Sequence, residues 1–267
     1  MYNDHQALYD YLVHEYNHHF DYWDWSYLDG RRVDVSPEPR PWDYSASIQA
    51  YARDVRSILD MRTGGGDLFA TLLKQSSIPE AYATEAYLPN LTRARQLLEP
   101  FGATVFQVEG ESLPLQDNTL ELVINRHGSY DPREVSRVLK PGHCFVTQQV
   151  GDQTNLRIHE LLGTRKQPTG HGEASTKTSW NLRHAVAELR AAGWHIVEQY
   201  EHFAITRFND LGALVYYLKA IPWEVLDFSV ERYFEHLVAA QDLFHSEGHL
   251  DVTFHTFFVV ARKDDSL

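Results

Sequence analysis

A single cysteine, Cys144, stands in the 267 residues, so neither a disulfide framework nor a cysteine-based zinc site can be built. No apolar run approaches the roughly 18 residues that a membrane span needs, so no membrane span and no membrane partner are expected. The opening Met-Tyr-Asn-Asp-His has neither the positive charge nor the apolar stretch of a secretory signal. Low-complexity tracts, sequence periods and long charge blocks are also missing, which excludes collagenous, disordered and coiled-coil chains. Together these absences lead to the expectation of a soluble, cytoplasmic globular protein.

Basic residues are scarce too. The chain carries 24 Lys and Arg against 37 Asp and Glu, a formal net charge of −13. Proteins that grip nucleic acid neutralise phosphates with clustered Lys and Arg. No five-residue window here is rich in either, so nucleic acid is not the expected partner. The charge is unevenly spread. Residues 1–50 hold 9 acidic and 3 basic residues, 51–150 hold 12 and 10, and 151–267 hold 16 and 11. The flanks are acidic and the middle nearly neutral, which favours a neutral or cationic small-molecule substrate.

Hydrophobic patterning follows the same three zones. The first, 1–50, reads as an aromatic helical lid. It contains one helical stretch from His5 to His19 and 11 of the 34 aromatic residues, among them Trp23, Trp25 and Trp42. The second, 51–150, alternates regularly. Strands are expected at Val55–Met61, Ala81–Thr84, Ala103–Val108, Leu120–Ile124 and Cys144–Val150, with helices at Asp67–Lys74, Leu88–Leu98 and Pro132–Leu139. Such alternation predicts βαβ units, a parallel sheet and a ligand crevice at the strand carboxyl ends. The third, 151–267, begins with a glycine-containing loop, Gly163 to Lys177, and a helix, Asn181–Ala192. Strand-like runs at Trp194–Phe203 and Thr253–Val260 bracket helices at Leu211–Leu218 and Val230–Phe244. That arrangement suggests an antiparallel hairpin closing the sheet around a helical insertion.

One stretch carries chemistry. The first strand of the middle zone runs into Asp60-Met61-Arg62-Thr63-Gly64-Gly65-Gly66, a turn whose glycines let backbone N–H groups face a ligand. Glu85 ends the next strand, where a carboxylate can take both hydroxyls of a ribose. Glu109 follows the third strand, placed to meet a base edge. Three acids after three strands, with no Lys-Ser/Thr phosphate loop, point to a nucleoside ligand without a polyphosphate.

This stretch resembles the class I S-adenosylmethionine-dependent methyltransferases, particularly the small-molecule type. Asp60 through Gly66 is similar to that family's first motif. Glu109-Gly110-Glu111-Ser112-Leu113-Pro114 is similar to its acid-small-x-x-Leu-Pro segment, Leu120-Glu121-Leu122-Val123 to its fourth strand, and Arg137-Val138-Leu139-Lys140-Pro141-Gly142 to the turn before its fifth. The resemblance implies a Rossmann-like, mostly parallel, seven-stranded sheet with an antiparallel last strand, and S-adenosyl-L-methionine as cofactor. It places Asp60, Met61, Arg62, Thr63, Gly64, Gly66 and Asn125 around the methionine and ribose end. Glu85 and Ala86 would hold the ribose, and Glu109, Gly110 and Glu111 the adenine. It also implies a transferase that methylates a small molecule by in-line displacement, in which proximity and alignment supply much of the rate.

Three positions depart from the family. Arg62 stands where it has glycine; an arginine there pairs with the methionine carboxylate, points away, or obstructs the pocket. Glu109 replaces the commoner aspartate and His143 a turn glycine. A non-catalytic nucleoside-binding protein on the same scaffold is therefore the alternative reading. A nicotinamide oxidoreductase fits less well, since Phe69 stands where the third glycine of its fingerprint belongs.

Residues after the fourth strand supply the remaining candidates. His127 is a candidate base, or a hydrogen-bonding partner of the acceptor, and Arg126, Tyr130 and Trp25 are candidate substrate contacts. Gln148 and Gln149 are read as solvent-facing strand-end residues. A competing motif, His14-Glu15-x-x-His18, satisfies the zinc-protease pattern. Too little chain precedes it for the sheet such proteases build, and no metal is expected.

Overall fold

The computed structural model describes residues 5–20, 24–166 and 179–264. Trp23 of the expected lid, and Pro168, Gly170 and Gly172 of the expected loop, lie outside them. The chain divides into two compact units. One comprises Met1–Pro39, Gln153–Gln167 and Phe203–His255; the other Arg40–Asp152, Pro168–His202 and Thr256–Leu267.

The second, the sheet unit, holds the parallel strands β2 (Ser57–Met61), β3 (Glu80–Glu85), β4 (Thr104–Gln107), β5 (Leu120–Arg126) and β6 (Leu139–Val150). It also takes the first part of β7 (Trp194–Phe208) and the last part of β8 (Leu250–Lys263). Their order is β7-β8-β6-β5-β2-β3-β4. Pairs β2–β3, β3–β4, β2–β5 and β5–β6 are parallel, and β6–β8 is antiparallel. The expected α/β architecture is present, with its antiparallel C-terminal closure.

Both faces of this sheet are covered, so its strands read as near-continuous apolar runs. Alternate residues enter opposite cores. Ile58, Leu122, Ile124, Val146, Phe258 and Val260 pack with α2 (Tyr44–Tyr51), α3 (Asp67–Lys74) and α4 (Leu88–Leu98). Leu59, Met61, Val123, Phe145, Phe257 and Val259 pack with α5 (Pro132–Val138) and α7 (Leu182–Ala191). Helix starts follow local chemistry. The side chains of Asp43, Asp131 and Asn181 accept from Ala46, Arg133 and His184 N–H groups at 2.9–3.0 Å, satisfying donors the first turn leaves open.

The other unit is helical. Its α1 (His5–Asn17), α6 (Leu156–Leu161), α8 (Leu211–Ala220) and α9 (Val230–Glu247) share a core that includes Leu8, Leu12, Leu214, Leu218 and Leu237. Gly212 lets α1 and α8 meet closely: a Cβ there would lie 2.7 Å from Glu15 Cγ. This unit adds an eighth strand that the sequence reading lacks, β1 (Arg32–Asp34), antiparallel to β7 at Thr206–Phe208. Three residues are too few for alternation to reveal.

No helix among the described residues is long and apolar enough to cross a membrane.

Candidate active site

The Gly-rich turn leaves β2 through two left-handed residues, Arg62 (φ 59°) and Gly64 (φ 63°). It ends at Gly66, the N-cap of α3, also left-handed. Gly66 has a further reason to lack a side chain, since a Cβ would sit 3.2 Å from Leu98 Cγ on α4.

Glu85, at the end of β3, ties this turn down. One carboxylate oxygen accepts from Gly64 N–H at 2.8 Å, and the other from the N–H groups of Ala86 (2.7 Å) and Tyr87 (2.9 Å). Asp60, at 5% exposure, accepts from the Thr63 hydroxyl at 2.7 Å. Burial, with some repulsion from Glu85, pushes its carboxyl up to about 7. Desolvation outweighs the hydroxyl here because it penalises the charged form directly.

Arg62 turns its side chain along the crevice. At its root it touches the Gly128 position, where a Cβ would meet Arg62 Cβ at 2.6 Å. At its tip the guanidinium donates to the carbonyls of Val108, Glu109 and Gly110, each at 2.9 Å. Of the three dispositions open to it from sequence, this geometry is the one that fills space between the β5 and β4 loops. Glu109 and Gly110 are exposed beyond it, while Glu111 is half-buried.

Beneath the β5 loop lies an amide network. Asn125, fully buried, donates to Met61 O at 3.2 Å. Its carbonyl accepts from Thr147 (3.1 Å) and Gln149 (2.6 Å). Gln149 also donates to Gly128 O at 3.2 Å. Gln148 accepts from the Trp42 indole N–H at 2.8 Å, and its Nε2 lies 2.9 Å from His127 Nε2. Gln148 and Gln149 are thus buried, at 1% exposure each, and not solvent-facing. The crossing of α2 and the β5 loop over the end of β6 encloses them.

His127 has a left-handed backbone (φ 59°), held by its N–H to Gln148 O at 2.8 Å. Desolvation, then the positive charges of Arg126 and Arg40, hold its imidazole down at about 3. The ring is therefore neutral at neutral pH. Arg126 lies 6.0 Å from the Tyr44 ring centroid, and Arg40 lies 5.4 Å from that of Trp42. Arg40, Trp42 and Tyr44 join this cluster; sequence reasoning named Trp42 only among the lid aromatics and did not single out Arg40 or Tyr44. The helix-start signal of Asp43, which brings them to the crevice, was their available trace.

The remaining candidates have their side chains in hydrophobic cores. Met61 and Tyr130 are core residues, Tyr130 packing edge-on to Phe145 at 4.9 Å. Trp25 belongs to the helical unit, beside Phe20 (4.9 Å) and Tyr217 (5.7 Å). The His14-Glu15-x-x-His18 motif is structural in that unit. Glu15 is buried and accepts from Arg31 (3.0 Å) and Tyr27 (3.1 Å), while His18 stacks on Tyr27. No metal-ligating cluster occurs among the described residues.

No protein-family profile matches the chain, and no curated protein does. Solved structures do. A candidate methyltransferase from Bacillus halodurans C-125 aligns over 83% of this chain and 99% of its own, with TM-score 0.58 at 16% identity. A functionally unknown protein from Deinococcus radiodurans R1 aligns over 87% and 90%, with TM-score 0.59 at 15% identity. A candidate sarcosine dimethylglycine methyltransferase from Galdieria sulphuraria aligns over 82% and 83%, with TM-score 0.50 at 15% identity. The fold is that of the class I S-adenosylmethionine-dependent methyltransferases.

Proposed function

We propose that the crevice above β2, β3 and β4 binds S-adenosyl-L-methionine and that the protein transfers its methyl group to a small molecule. The observation that carries this reading is the convergence of Asp60, the Gly64–Gly66 turn, Glu85 and Glu109-Gly110 at three successive strand ends. Glu85 and Ala86 would hold the ribose, and Glu109, Gly110 and Glu111 the adenine. Asp60, Met61, Thr63 and Asn125 would shape the methionine end, largely through backbone that their side chains, buried in all but Thr63, fix. The cofactor, when bound, supplies an electrophilic methyl on a sulfonium. The chain's part is then to hold both reactants in line and to exclude water.

The acids and glycines fit this cofactor; Arg62 fits it only after moving. A ligand reaching from Gly64 to Glu109 must share space with the Arg62 side chain, whose guanidinium already occupies the carbonyls of Val108, Glu109 and Gly110. That contact also favours a second reading, a non-catalytic protein on this scaffold in which Arg62 closes the site permanently.

Titration calorimetry with S-adenosylmethionine and its demethylated product tests the first reading. Binding is expected, with Glu85→Ala weakening it by roughly ten- to a hundredfold, the scale for losing a charged hydrogen-bond acceptor. Equal affinity in wild type and Glu85→Ala, or no heat from either ligand, would contradict it.

A further inference from the structure

The amide of Gln148 fixes the protonation of the His127 ring. An indole N–H only donates, so the Gln148 atom 2.8 Å from Trp42 Nε1 must be the carbonyl oxygen. The atom 2.9 Å from His127 Nε2 is then the Gln148 NH2 group, which only donates. Flipping the amide would set two donors, the Gln148 NH2 and the indole N–H, against each other at the Trp42 end. His127 Nε2 must therefore carry a lone pair, and the proton of the neutral ring sits on Nδ1. Thus Nε2 is engaged and no basic nitrogen remains free. His127 presents a donor, which removes the general-base role and keeps the hydrogen-bonding one.

Two guanidinium groups border this ring: Arg126 adjoins His127 in the chain, and Arg40 lies over the Trp42 ring that shares Gln148 with it. Arg126 lies over the Tyr44 ring and is near enough to the buried Asp60 carboxyl to act on it. Arg40 lies against the Trp42 ring and donates its Nε–H to Trp42 O at 3.1 Å. Neither forms an ion pair among the described residues, in a chain of net charge −13. Two unpaired guanidinium groups and a fixed N–H donor make one rim of the crevice donor-only.

We infer that this rim, Arg126, Arg40 and His127 Nδ1–H, binds a carboxylate group on the small-molecule acceptor. Guanidinium forks match a planar carboxylate, and charge-assisted hydrogen bonds are about twice as strong as neutral ones. The acidic flanks favour a neutral or cationic ligand only through a long-range field that decays over about 8 Å at physiological salt. Direct contact outweighs that field for a single negative charge. A multiply charged phosphate would meet more of the repulsion, which is why the carboxylate is the better match.

This inference rests on the methyl-transfer reading for the word acceptor, but the site can be tested without the cofactor. In 15N-histidine spectra at neutral pH, His127 is expected as the Nδ1–H tautomer, and Gln148→Glu should move the proton to Nε2. Benzoate, as probe, should shift the His127 Nδ1–H signal saturably, and uncharged benzamide should not. Arg126→Gln and Arg40→Gln, both at exposed positions, should each weaken benzoate by about tenfold, the scale of one charge-assisted contact. An Nε2–H tautomer in the wild type, or equal shifts from benzoate and benzamide, would overturn the inference. Benzoate binding without any calorimetric cofactor signal would leave this site standing and remove the methyl-transfer reading. Cofactor binding without benzoate selectivity would do the reverse.

Discussion

Asp60 shows how a residue legible in sequence acquires its chemistry only in the fold. The spacing of an acid before glycines marked it, but nothing local foretold a carboxyl held up to about 7. That value arises because β2 is buried along its whole length. An unfolded aspartate loses its proton near pH 4, roughly, whereas the native one keeps it to about 7. Between those values the native state binds more protons, so this group's contribution is fully present at low pH and is lost as pH rises through the window. Asp60→Asn mimics the protonated form. Denaturant unfolding should show little change at pH 4 and a gain of about 2–4 kcal/mol at pH 8, from three units at ~1.4 kcal/mol each less relaxation. Equal destabilisation at both values would contradict the assignment. Arg62 is the converse case. Its identity was visible as a departure from the family, but its side-chain path depends on loops 46–48 residues away and could not be read from neighbours.

At the scale of elements, long periodic segments were legible and short ones were not. The sequence places α3 and α4 at the observed Asp67–Lys74 and Leu88–Leu98, because apolar stripes and turn residues agree there. The expected N-terminal helix, His5 to His19, ends at Asn17 instead. The short helices α2 and α6 and the strand β1 left no periodic trace, being fixed by tertiary contacts such as β1 against β7. Helix contact also sets the role of Gly212, which the sequence marks only as a glycine inside a helix. Gly212→Ala gains helix propensity of up to ~1 kcal/mol but drives a methyl into Tyr11 and Glu15. Overpacking costs of about 1–3 kcal/mol prevail, so a net loss of roughly 1–2 kcal/mol is expected in thermal unfolding. A stabilised variant would show that α1 can move away from α8 freely.

On the scale of the whole molecule, the sequence conveyed one architecture in three zones, and the structure assembles two units from interleaved segments. Segments within 5–20, 24–39, 153–166 and 203–255 build the helical core; their association is long-range, which no local pattern encodes. All the ribose, adenine and methionine-end candidates fall in the sheet unit, as does His127. The proposed cofactor site joins two observations: acids and glycines at three successive strand ends, and an Arg62 side chain that reaches from β2 to the loop after β4. Replacing Arg62 by glycine removes three hydrogen bonds from the β4 loop and relieves a left-handed backbone that favours glycine. The direct measurement is paired titration calorimetry of wild type and Arg62→Gly with S-adenosylmethionine. The account predicts binding to both, tightened in Arg62→Gly by about tenfold or more, since ~1.4 kcal/mol of displaced contact is one decade. Affinity that is unchanged, weakened or absent in Arg62→Gly would contradict it.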